Sequence, residues 1–197
     1  MIGQETEYGN LSDDQLMRAI INHDEEAFRE LYDRYAKNLL SFLLRMLNND
    51  QEKARDFLQE VFMRVIRSAD RYQQGRSVRT WLYTITMNLC KNEYRRISVR
   101  GNHDDSVNPE ALPQMEMPTE HVLDLNMFYR ALDSELGRLP THLRSTFILR
   151  FRVDLSIREI ADIMGCSQGT VKSRLFYMLK NLADNLKSFN PYNVEAH

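Results

Sequence analysis

Gln168, Thr170, Lys172, Ser173, Arg174 and Tyr177 carry amide, hydroxyl, ammonium and guanidinium groups at spacings that put them on or near one side of a helix. Such groups hydrogen-bond base edges and phosphate oxygens, the chemistry by which a helix reads a DNA major groove. They sit in SIREIADIMGCSQGTVKSRLFYMLK, Ser156 to Lys180, which has the grammar of a helix-turn-helix. Ser156 and Glu159 form a capping-box pair at the start of a first helix. Ile157, Ile160, Ile163 and Met164 give it one apolar face, and Ala161 is small where two helices must cross. Gly165 supplies the positive φ of a tight turn. Ser167 then caps a second helix whose Val171, Leu175, Met178, Leu179 and Leu182 point back to a core. A plain buried helical hairpin would share the spacing but has no use for donors along the second helix.

A second stretch combines cations with aromatic side chains: DRYQQGRSVRTWLYTITMNLCKNEYRR, residues 70–96. Trp81, Leu82, Ile85 and Leu89 predict a buried stripe, while Thr84, Asn88, Lys91, Asn92 and Arg95 recur at three or four residues and share another face. Amides, hydroxyls and cations on one face suit phosphates and exposed base edges, and the polar segment before the helix suits an unstacked base. A solvated amphipathic helix with a core tryptophan is the plainer reading. A third patch is acidic. Asp56, Gln59 and Glu60, beside Leu58 and Phe62 as exposed apolar candidates, suit a basic helical partner with an apolar centre and polar rim.

Bond-making chemistry finds no comparable support. His23, His103, His121, His142 and His197 are scattered without metal-ligand spacing or a nucleophile context, and His103-Asp104-Asp105 fits a solvated segment better than a metal site. Cys90 and Cys166 fall in unrelated contexts and predict neither a disulfide framework nor a zinc site. The reading is therefore of a binding protein with no cofactor and no metal.

Those surfaces need elements to hold them, and the periodicity is helical nearly throughout. Ser12 caps a short helix to about Asn22. Asp24 caps a long one carrying Phe28, Leu31, Tyr32, Tyr35, Leu39, Phe42, Leu43 and Met46, which Asn48-Asn49-Asp50 breaks. A third helix runs from Gln51 to Ser68, with Ala54, Phe57, Leu58, Val61, Phe62, Val65 and Ile66 apolar, and a fourth from Val78 to Ile97. From Ser98 to about Glu120 three of the five prolines and an acidic excess replace any period, predicting a flexible linker. A helix from Val122 to Gly137, a Leu139-Pro140 break and a helix capped by Thr141 lead into the helix-turn-helix, and NPYNVEAH ends the chain as a frayed tail. The fold class is all-α: two small helical domains on a flexible linker, the second with the helix-turn-helix.

Composition agrees. With 43% hydrophobic and 27% charged residues the chain is foldable, and no stretch is apolar enough to span a bilayer. The start, MIGQETEYGN, lacks the pattern of a signal peptide, so the expectation is a cytoplasmic protein without membrane insertion. The overall charge of −2 hides a segmentation. Residues 71–100 carry seven basic against one acidic side chain, and 141–197 carry eight against five. The blocks 1–70 and 101–140 are acidic, so they lower non-specific DNA affinity while the basic blocks neutralise phosphate.

In order and spacing, DFLQEVFMRVIR (Asp56 to Arg67), VRTWLYTITMNLCKNEYRR (Val78 to Arg96), the Leu139-Pro140 break and SIREIADIMGCSQGTVKSRL resemble an extracytoplasmic-function sigma factor, a small bacterial member of the sigma-70 family. The resemblance covers about residues 12–97 and 122–187. It implies a region 2-like domain over 12–97, an acidic linker over 98–121 and a region 4-like domain over 122–189. It implies that Asp56, Gln59 and Glu60 meet the β′ clamp helices of core RNA polymerase, which the chain also contacts through the β subunit. Asn88, Lys91, Asn92, Arg95 and Arg96 would hold the minus-ten element, and Thr170, Lys172, Ser173, Arg174 and Phe176 the minus-thirty-five element. An anti-sigma factor is a further partner implied by the family. Two departures stand out: Tyr177, Met178 and Leu179 replace a basic stretch, and Thr84, Thr86 and Met87 stand where arginine or alanine is common, lowering charge on the minus-ten face. A helix-turn-helix regulator that binds duplex operator DNA as a dimer is the alternative, but it leaves the tryptophan-bearing basic helix and the acidic patch unexplained.

Overall fold

The computed structural model describes residues 8–72, 75, 77–99 and 121–189, with the backbone alone for 121–126. The expected linker beyond Val99, the His103-Asp104-Asp105 run, the tail from Asn190 and, in the polar segment before the fourth helix, Gln73, Gln74 and Arg76 lie outside the described residues. Every regular element among the described residues is a helix. In order the α-helices are α1 (Asp13–Ile21), α2 (Glu25–Met46), α3 (Gln51–Ser68), α4 (Val78–Val99), α5 (His121–Arg138), α6 (Thr141–Phe151), α7 (Ile157–Met164) and α8 (Gln168–Asn185), with short 3-10 turns at Ala69–Arg71 and Lys187–Phe189. The chain divides into two compact units, α1–α4 building the first and α5, α6 and α8 with the first turns of α7 the second.

In the first unit the helix starts are set by side chains that satisfy amides left without a helical partner. Ser12 and Gln15 form a full capping box on α1. Asp24 accepts from the backbone of Glu26 and Ala27 at the start of α2, and Asp50 from Lys53 at the start of α3. Between α2 and α3 the chain reverses through Asn48 and Asn49, both at positive φ, a region asparagine tolerates better than most residues. Leu31, Leu39, Leu43 and Met46 from α2 meet Val61 and Val65 from α3 and Leu82 and Met87 from α4 in the core. Phe42 and Tyr83 pack edge to face at 5.4 Å. Burial pushes the Tyr83 hydroxyl up to about 12, so this ring stays neutral. Burying each such side chain contributes roughly 1.5–3 kcal/mol, enough to lock α4 against α2 and α3.

The second unit buries Leu132 and Leu136 of α5, Ile148 and Leu149 of α6 and Val171, Met178 and Leu182 of α8. Pro140, not Thr141, occupies the N-cap of α6, and no side chain caps it. Thr141 is already the first helical residue, placed there by the fixed φ of the proline before it. Leu179 is a second correction. It is exposed, because a helix returns to its buried face at Met178 and Leu182 and carries Leu179 away from it.

Candidate nucleic-acid interface

The helix-turn-helix is built as its residue types require. Ser156 Oγ accepts from the Glu159 backbone N–H at 3.2 Å, while Glu159 Oε2 accepts from the Ser156 backbone N–H at 2.9 Å. Gly165 turns the chain at φ +66°, with open space where a Cβ would sit. Ser167 Oγ then accepts from the Thr170 N–H at 3.1 Å and starts α8. With Val171, Leu175, Met178 and Leu182 turned inward, Lys172, Ser173, Phe176 and Tyr177 face outward. Phe176 and Tyr177 are 65% and 68% exposed, with their rings 5.4 Å apart. Thr170 is half-buried, its hydroxyl 2.9 Å from that of Ser167. Arg174 is half-buried, and its Nη1 lies 3.8 Å from Cys166 Sγ in the turn. Lys172, Ser173 and Phe176 are therefore the best presented of the expected set. His142, at the start of α6, is held below the usual histidine range by burial and by the charge of Arg174.

On α4, Ser77 Oγ accepts from the Thr80 N–H at 3.2 Å and starts the helix. Asn88, Asn92 and Arg95 are exposed and follow one another at four and three residues, so they form one outward row. Lys91 is half-buried beside it. Arg96 is exposed, but its Nη2 lies 2.9 Å from Glu93 Oε1, which ties the guanidinium to a carboxylate of its own helix. The Thr84 hydroxyl donates to the Thr80 carbonyl at 2.8 Å and is spent on its own helix. Thr86 and Met87 are buried, so these two departures belong to the core and take no charge from the outer face. Trp81 and Ile85 are only half-buried, whereas Tyr83 and Cys90, absent from the expected stripe, are fully buried.

Glu93 is the electrostatic pivot of this helix. It is buried, yet Lys53 Nζ at 3.2 Å and Arg96 Nη2 at 2.9 Å both reach its Oε1. Burial raises its pKa, but the hydrogen bonds and charges of Arg96 and Lys53 outweigh that, and the net shift is downward.

Asp56 and Gln59 on α3 are exposed, and Glu60 is half-exposed with its Oε1 2.7 Å from Arg64 Nε. Leu58 and Phe62 are only 7% and 3% exposed, so they are not the apolar centre of this patch. Phe62 is drawn inward against Tyr32 and Phe28, with centroids at 4.6 and 5.9 Å. Met63 and Ile66 stand outward instead, at 38% and 49% exposure. Met63 lies three and four residues from Glu60 and Gln59 and Ile66 three beyond it, so both can share the acidic side of the helix, but spacing alone did not say that they, rather than Leu58 and Phe62, stay outside. Among the described residues no His, Cys, Asp or Glu group could hold a metal ion, and no helix is long and apolar enough to cross a membrane. Cys90 and Cys166 are not joined in a disulfide.

Comparison with known proteins places these surfaces in a family. Residues 31–99 match Sigma-70 region 2, and residues 129–182 match Sigma-70, region 4. The chain is 31% identical over 175 residues to the RNA polymerase sigma-H factor of Pseudomonas aeruginosa, covering 83% of this chain and 88% of that one. It is 30% identical over 177 residues to the ECF RNA polymerase sigma-E factor of Escherichia coli K12, covering 84% and 90%. Two solved structures share the fold. In the complex of the sigma factor RpoE with the anti-sigma factor NepR from Bartonella quintana the TM-score is 0.65 at 23% identity, covering 81% of this chain and 96% of that one. In CnrH bound to the cytosolic domain of CnrY it is 0.65 at 22% identity, covering 89% and 97%.

Proposed function

Because the chain belongs to the sigma-70 family, in its extracytoplasmic-function group, we propose that α4 and α8 are the two reading helices of a sigma factor and that the outward face of α3 is its dock on polymerase. A sigma factor binds core RNA polymerase and directs promoter-specific initiation, and that is the function of this chain. Members of the family are DNA-recognition subunits. On this reading the chain makes and breaks no bond, and nucleotide chemistry stays with the polymerase.

The observation that carries the assignment is the outward row Asn88, Asn92 and Arg95 on α4. Two carboxamides and a guanidinium, backed by a core that fixes the helix, suit the edges and phosphates of a separated strand. Asn88, Lys91, Asn92, Arg95 and Arg96 hold the minus-ten element, with Arg96 the most constrained by its pairing to Glu93. Thr170, Lys172, Ser173, Arg174 and Phe176 meet the minus-thirty-five element in the major groove, where each good bidentate contact is worth about 1–3 kcal/mol of discrimination. Asp56, Gln59 and Glu60, with Met63 and Ile66 between polar neighbours, meet the β′ clamp helices.

Residues 12–97 and 122–189 act as two modules tethered through 98–121, of which Ser98 and Val99 continue α4. Held on polymerase, engagement at one promoter element makes engagement at the other effectively intramolecular, a gain on the order of 10²–10⁴. Bases then leave the stack at a cost of a few kcal/mol, offset by contacts to α4. The two solved relatives are held by an anti-sigma factor or by the cytosolic domain of another protein. An inhibitory partner of that kind, acting in the cytoplasm, fits this chain. Operator binding without polymerase would give the region 2 unit nothing to do.

The test is transcription by reconstituted holoenzyme on promoters with either element scrambled. Asn88→Ala and Asn92→Ala should make the enzyme insensitive to the minus-ten sequence while sensitivity to the upstream element persists. Sensitivity to the minus-ten sequence at the parent level in both variants would remove the α4 assignment.

A further inference from the structure

Tyr72 is the residue from which the chain leaves α3 and its short 3-10 turn at Ala69–Arg71 and heads for α4. It is 6% exposed, and its ring lies 5.5 Å from that of Trp81 in the first turn of α4. Its hydroxyl donates to Asp14 Oδ1, in the first turn of α1. That carboxylate stands on a braced turn. Neighbouring Asp13 accepts from Arg34 Nη1 at 2.9 Å and from the Tyr35 hydroxyl, both on α2. Arg34 Nη2 also donates to the carbonyls of Tyr8 and Gly9, at 3.1 and 3.0 Å, which fixes the chain just before α1. Ser12 and Gln15 complete the capping box.

A continuous strut therefore runs from α2 through the first turn of α1 to Tyr72 and on to Trp81. Its α1 part precedes residue 31, where the region 2 match begins. Capturing an unstacked base demands that the receiving helix be held to within about 0.5 Å. Helix α4 has a buried core stripe to fix its middle, but Trp81 in its first turn is only half-buried. Val78, buried in that same turn, anchors the start of the helix, and the strut adds a second constraint there through Trp81.

We propose that Asp14 and Tyr72 are positioning residues for minus-ten recognition: through their hydrogen bond α1 fixes the Tyr72–Trp81 ring pair, and thereby the first turn of the promoter-reading helix. This rests on the minus-ten reading of α4. Neither residue touches DNA in this scheme.

The test uses holoenzyme assembled from the full chain and core polymerase, at saturating concentration. Open-complex formation is read by permanganate reactivity of unpaired thymines, on a promoter the holoenzyme transcribes and on the same promoter with altered minus-ten bases. The readout is the ratio of the two, which a mere loss of folded protein would not change. Tyr72→Phe keeps the ring against Trp81 and removes only the donor. It should lower the ratio about tenfold, the scale set by a hydrogen bond to a charged acceptor. Asp14→Ala should do the same, the double variant should go no further, and Asp14→Asn, which keeps an acceptor oxygen, should retain most of the ratio. Tyr72→Phe and Asp14→Ala holding the parent ratio, while Asn92→Ala lowers it, would overturn the proposal. Asn92→Ala holding the parent ratio as well would overturn the minus-ten assignment beneath it.

Discussion

Lys53 Nζ lies 3.2 Å from Glu93 Oε1, joining the first turn of α3 to the outer half of α4. Arg96 reaches the same oxygen at 2.9 Å, so one buried carboxylate both ties two helices and restrains a candidate DNA contact. Glu93→Gln should destabilise the chain by about 1–3 kcal/mol at neutral pH, because two cations lose a buried anionic acceptor. Its pH dependence has a fixed sign. The folded pKa of Glu93 lies below its ordinary value of 4.5, so its contribution is full above that value and is lost as pH falls through the lower folded value. Urea midpoints of parent and variant should differ most at pH 7 and converge only as the pH falls through the lowered folded pKa of Glu93. A gap that widens in acid would contradict the placement of this charge.

Reversing charge on α3 separates docking from folding. Asp56 is exposed, and the Glu60–Arg64 pair is a surface i,i+4 contact, a type worth only about 0.3–0.5 kcal/mol. Asp56→Lys with Glu60→Lys should therefore leave helicity and thermal midpoint nearly unchanged while weakening association with core polymerase at least tenfold, on the order of 1.4 kcal/mol. Co-purification with tagged core and circular dichroism check the two halves. Equal co-purification would remove this face from the interface.

Lys172 and Ser173 are exposed on α8, whereas Arg174 is half-buried and turned toward Cys166. Lys172→Ala with Ser173→Ala should lower transcription roughly tenfold or more from promoters that need the upstream element, on the scale of one or two lost base contacts. Arg174→Ala should cost less. Run-off assays on paired templates with and without that element measure both. A larger loss for Arg174→Ala than for the Lys172 and Ser173 pair would mean that the half-buried guanidinium, not the exposed ammonium and hydroxyl, makes the main contact.

Gly165 tests the turn itself. Its φ is +66° and no atom lies within 4 Å of where a Cβ would sit, so Gly165→Ala meets conformational cost without a clash. Stability should fall by about 1–2 kcal/mol, with transcription at permissive temperature retained. Denaturant unfolding of the full chain reads the change. A neutral substitution would mean the turn relaxes to another backbone conformation.

Most helix starts were legible because capping is local chemistry: Ser12, Asp24, Ser156 and Ser167 each cap where their spacing predicts, whereas Asp50, read only as part of a break, also caps and Thr141 does not. The outward row on α4 was legible for a similar reason, since Asn88, Asn92 and Arg95 follow one helical period. What period alone could not decide was which of several apolar residues turns inward. Leu58 and Phe62 are buried and Ile66 exposed because α2 places Phe28 and Tyr32 over one side of α3 only, a choice made by tertiary packing. Thr86 and Met87 illustrate the same limit. A threonine reads as polar, yet its hydroxyl donates to the Leu82 carbonyl at 2.8 Å and needs no solvent. Contacts between distant turns, such as Tyr72 with Asp14, leave no periodic trace and were invisible before the fold.

Run-off transcription by bacterial core polymerase, with and without the purified full chain, on a fragment library from a genome that encodes it reaches the central claim most directly. New transcripts should begin only when the chain is added, at starts sharing two conserved sequence elements at fixed separation, and Asn92→Ala should erase the downstream preference. Identical transcripts with and without the chain would contradict its role in directing polymerase to promoters.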